Sequence, residues 1–93
     1  MIEIIGNDIR RGGEKIGFIR DDDLYDDKGH KRGYFSDSAG DIFDASGKKI
    51  GYLEGNHCVA GDERVSLSDI RREIRGGSYG DCARAAVWLL LGG

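Results

Sequence analysis

The residues in this 93-residue chain that could do chemistry are two histidines, two cysteines, a run of aspartates and a recurring lysine. His30 and His57 stand in or beside separate turn sequences. No HExxH pair or other ligand spacing joins them, so they read as exposed imidazoles rather than metal ligands. Cys58 and Cys82 form neither a CxxC pair nor a disulfide framework, and they read as two reduced thiols. The stretch DDDLYDD (21–27) offers carboxylates for Ca²⁺. It lacks the D-x-[DN]-x-[DN]-G spacing and the distant Glu of an EF-hand loop, so it reads as a solvated pair of turns. No serine sits in G-x-S-x-G, and GGSYG (76–80) lacks the G-K-[ST] ending of a phosphate loop. These readings imply no cofactor, no metal and no catalytic residue. An enzyme would need His30, His57, Cys58 and Cys82 to converge in the fold.

Lys15, Lys31 and Lys49 occupy equivalent places in a repeat, and Arg64 stands at the fourth. In a closed ring they would form a circle of positive charge, with Asp26 and Asp44 at a matching level on neighbouring strands. One reading makes these cross-strand ion pairs that keep strand edges soluble. The other makes the four cations an anion-binding rim, for phospholipid headgroups or another anionic ligand. The closing LLLGG resembles the Gly-Gly end of ubiquitin-like modifiers, but it continues a helical pattern, so Gly92 and Gly93 read as a helix cap.

The elements that carry these residues come from a repeat. IRRGGEKIGFI (9–19), YDDKGHKRGYF (25–35) and FDASGKKIGYL (43–53) align, and VAGDERVSL (59–67) is a degenerate fourth copy. The first glycines, Gly13, Gly29 and Gly47, sit in Asp- or Gly-rich turns, where a three- to five-residue hairpin loop needs a left-handed residue. The second glycines, Gly17, Gly33 and Gly51, fall inside strands. Glycine weakens a strand and there marks a bend or a close approach. Arg32 suits a core poorly, so the glycine face is expected to point inward. GDCARAAVWLLLGG supplies what it would meet. Asp81 is the expected N-cap, residues 82–91 the helix, and Ala85 to Leu91 is apolar all round, as in a buried helix. SLSDIRREIR (66–75) fits a helix face or an alternating strand through Ile70 and Ile74, and is read here as a strand.

A lone hairpin is marginal in water, so repeated hairpins must share a buried face, and closing them into a ring removes exposed edges. The expected fold is mainly β. It is a single domain over residues 1–93, a closed up-and-down barrel of about five repeated hairpins over residues 2–75, around one hydrophobic C-terminal helix. The formal net charge of −3, with both signs interspersed, argues against nucleic acid as a partner. The start MIEIIGNDIRR is not a signal peptide, and AAVWLLL is shorter than the roughly 20 residues of a membrane span. A soluble, cytoplasmic protein is expected.

LYDDKGHKRGYF and IFDASGKKIGYL, more loosely DIRRGGEKIGFI, and the tail ARAAVWLLL resemble the bacterial β-flower proteins. The resemblance covers about residues 7 to 67 plus the tail. It implies hairpin petals around an axis, similar to the tubby C-terminal barrel that wraps a hydrophobic helix, and it carries over no catalytic residue. The function expected first is therefore a non-catalytic module that binds a partner or forms a homo-oligomer. An anionic ligand or peripheral membrane contact through the repeat lysines comes second, and an enzyme with an unrecognised site third.

Overall fold

A computed structural model describes residues 1–92. Nine strands follow one another as an antiparallel meander: β1 (Ile2–Ile5), β2 (Asp8–Arg11), β3 (Glu14–Arg20), β4 (Asp23–Asp26), β5 (Lys31–Ser36), β6 (Asp41–Asp44), β7 (Lys49–Glu54), β8 (His57–Ala60) and β9 (Glu63–Ser66). The turn glycines do what their positions demand. Gly13, Gly29 and Gly47 have φ of +86°, +83° and +90°, a region that costs an L-residue a clash with its own carbonyl. Each even-numbered strand from β2 to β8 contributes one fully buried residue, Ile9, Leu24, Ile42 or Cys58. The residues on either side of each are half-buried, as the two-residue period of a strand with one covered face requires.

The ring is not closed, which corrects the expected barrel. The strand order runs from β10 (Ile74–Arg75) through β1 to β9, and β9 and β10 do not pair. Residues 66–75 are also not one strand. Leu67–Glu73 form a helix, α1, and only Ile74 and Arg75 are extended, pairing in parallel with Ile2 and Glu3. Ser66 caps α1, its Oγ accepting from the Ser68 amide at 3.2 Å. The reason for the helix is topological. β9 and β10 both run in the sense of β1, so the chain between them must travel back along the opening. Seven helical residues rise about 10 Å, the span of a short strand. Ile70 and Ile74 are both buried, as either periodicity allows.

The C-terminal helix, α2 (Asp81–Val87), passes into a π-helical turn, Trp88–Gly92. Cys82, Ala83, Ala85, Ala86 and Val87 are buried, and the sheet curls around them. Asp81 is not the N-cap. Gly80 holds that place without a side-chain bond, because the Asp81 carboxylate takes two hydrogen bonds from Arg71, at 2.9 and 2.6 Å. Gly92 has a φ of +81°, the conformation that ends a helix; Gly93 lies outside the described residues. Among the described residues, no helix is long and apolar enough to cross a membrane.

Candidate functional site

The in-strand glycines meet the tail one by one. A Cβ on Gly51 would lie 2.7 Å from Leu89 Cδ1, one on Gly33 2.7 Å from Leu90 Cδ1, and one on Gly17 3.1 Å from Leu91 Cδ1. Three consecutive leucines therefore address β7, β5 and β3 in turn. A helix turns its residues about 100° apart, and the wider π turn less, so successive side chains radiate onto successive hairpins. Trp88 precedes them and lines one depression with Val65 of β9, which pairs with Cys58 as Gly51 pairs with Ile42 and so stands where the degenerate copy has lost its glycine.

The repeat lysines lie on the outer face, and a bulge puts them there. Gly33 pairs with Leu24 but Lys31 with Tyr25, and Gly51 pairs with Ile42 but Lys49 with Phe43. Arg32 and Ile50 are thus extra residues; Ile16 is the same on β3. Strict alternation would set each lysine on its glycine's inward face; the bulge reverses this. Each lysine then reaches an aspartate: Lys15–Asp8 at 3.3 Å, Lys31–Asp23 at 3.2 Å and Lys49–Asp41 at 2.9 Å. Each also lies over a ring, of Phe18, Tyr34 or Tyr52, about 5 Å from its centre. Phe18 stacks on Tyr25, and Tyr34 on Phe43. Arg64 holds the equivalent place opposite Val59, but His57 replaces the aspartate there and Arg64 reaches Glu54, at 3.6 Å.

Asp26 and Asp44 are not the lysines' partners, because the turns use them. Asp26 accepts from the amides of Lys28 and His30, and Asp44 from the amides of Ser46 and Lys48 and the Ser46 hydroxyl. These bonds hold both carboxyls below the ordinary value, the His30 amide contributing most at Asp26 and the Ser46 hydroxyl most at Asp44. His30 is exposed in its turn, while His57 opens β8. Burial pushes the Cys58 thiol up, and pushes Cys82 up to about 12, with Asp37 and Cys58 adding to it. Neither is poised as a thiolate nucleophile. No group of three His, Cys, Asp or Glu among the described residues could hold a metal ion.

The repeat breaks at one place, and a depression of about 560 Å³ opens there. It lies between β9 and α1. Val65, Ile70 and Trp88 provide its apolar lining, and Asp69, Arg72 and Glu73 its polar lining. No signal in the sequence marked it, because it depends on α1 lying beside β9. The chain matches no protein-family model, no curated protein and no solved structure. The site is therefore read from its own chemistry.

Proposed function

We propose that the chain is a small non-catalytic module of the β-flower kind that works by binding a partner. One observation carries this reading: the repeat consumes its own functional side chains. The in-strand glycines seat leucines, the lysines are paired with aspartates, the turn aspartates cap amides, and the thiols are buried. The sector where the repeat fails lies outside this scheme and carries the depression between β9 and α1. The ion pairs weigh against an anion-binding rim, because each lysine would first have to leave its carboxylate. A direct check is an assay of the purified chain against ester, phosphoester and peptide substrates. No turnover is expected. A rate that falls on His57→Ala or Cys58→Ser would overturn the reading.

A further inference from the structure

The groove between β9 and α1 combines three properties. Its first wall is a strand edge. β9 pairs with β8 through Cys58↔Val65 and Val59↔Arg64, and among the described residues no strand pairs with its other side. Its second wall is α1, which runs antiparallel to β9 along the opening. Its lining between them is mixed, apolar from Val65, Ile70 and Trp88 and polar from Asp69, Arg72 and Glu73. A strand edge beside a helix, with a partly apolar pocket between, is the setting in which an extended peptide adds a strand. Main-chain hydrogen bonds then give affinity, and alternate side chains entering the pocket give selectivity.

Charge selects among such peptides. Arg64 is engaged by Glu54, and Arg72 by Asp69. Of the charged residues that line the groove, Glu73 alone is exposed without an ion pair among the described residues; outside the lining, Asp62 and Glu63 at the start of β9 and Arg75 on β10 are unpaired as well. The groove's unpaired charge is therefore negative, which attracts cations and repels carboxylates. A second copy of this chain would bring the same carboxylates face to face.

We propose that this groove takes an extended peptide strand that sets an apolar residue on Trp88 and flanks it with lysine or arginine. The proposal rests on the binding-module reading and names that module's partner. Trp88 is the only tryptophan, so its emission reports on the groove. The probe is an acetylated, amidated hexapeptide of alternating lysine and valine, titrated at low salt. A saturable change in Trp88 emission is expected. Glu73→Lys, an exposed change that leaves the far-ultraviolet circular dichroism intact, should weaken binding about tenfold. Methylating alternate peptide nitrogens on the strand-facing side should abolish it, because the edge then loses its donors. Absence of saturation overturns the proposal, and so does equal binding of a glutamate–valine peptide or of the methylated one. A dimer in light scattering that the peptide does not displace would assign the groove to a second copy. None of these outcomes creates turnover, so failure here is distinct from failure of the non-catalytic reading.

Discussion

At the scale of the residue, three glycines in identical repeat positions are not equivalent. At Gly33 an added methyl group meets the Phe43 carbonyl oxygen as well as Leu90, and a paired strand cannot withdraw its carbonyl. At Gly51 the nearest atom is the flexible end of Leu89, with the Val59 carbonyl at 3.1 Å. Gly33→Ala should therefore cost about 1–3 kcal/mol, the usual range for overpacking, and Gly51→Ala less. In urea unfolding, Leu89→Ala should relieve part of the Gly51→Ala cost and leave the Gly33→Ala cost unchanged. Equal costs at both sites would mean that the Phe43 carbonyl does not set the cost at Gly33. The inward glycine face was legible because Arg32 could not be placed in a core. The pairing of each glycine with its own leucine was not, because it depends on the angle at which the helix enters.

At the scale of the element, α1 is the part of the wall with least support. It replaces a ladder of hydrogen bonds with Leu67 and Ile70 in the core and Ser66 at its cap. Ile70→Ala should cost about 2–5 kcal/mol, as for other buried large-to-small changes, and Ser66→Ala about 1 kcal/mol. Hydrogen exchange should find residues 67–75 opening before β3 to β7; protection there equal to that of β5 would contradict this. The hairpins were readable because their turns declare themselves in Asp and Gly. The bulges at Ile16, Arg32 and Ile50 were not, since a bulge is one extra residue with no composition of its own. Residues 66–75 misled for a related reason. Ile70 and Ile74 satisfy both periods, and only the need to return along the opening selects the helix. The groove inherits this illegibility, because one of its walls is that helix.

At the scale of the whole molecule, titration should bracket a plateau of stability. Asp26, Asp44 and Asp81 are all held below their ordinary value of 3.8, Asp81 chiefly by the Arg71 hydrogen bond. Their folded values are depressed, so their stabilisation is present above 3.8 and is lost as pH falls through the lowered values. Cys82 is displaced the other way, from 9.0 to about 12. The unfolded thiol ionises first, so its stabilisation is full below 9.0 and is lost as pH rises toward 12. Urea midpoints measured across pH should be flat between these limits and fall on both sides. A midpoint still rising below pH 3.8 would refute the acid arm. The seating of Leu89, Leu90 and Leu91 on three strands has a consequence for descent by duplication. One turn of helix offers about four directions, and here three meet glycine strands while Trp88 meets the altered copy. The copy number of the hairpin is thus tied to the winding of a single turn. A chain that gained one more hairpin without lengthening its tail would carry a glycine strand with no side chain to fill it.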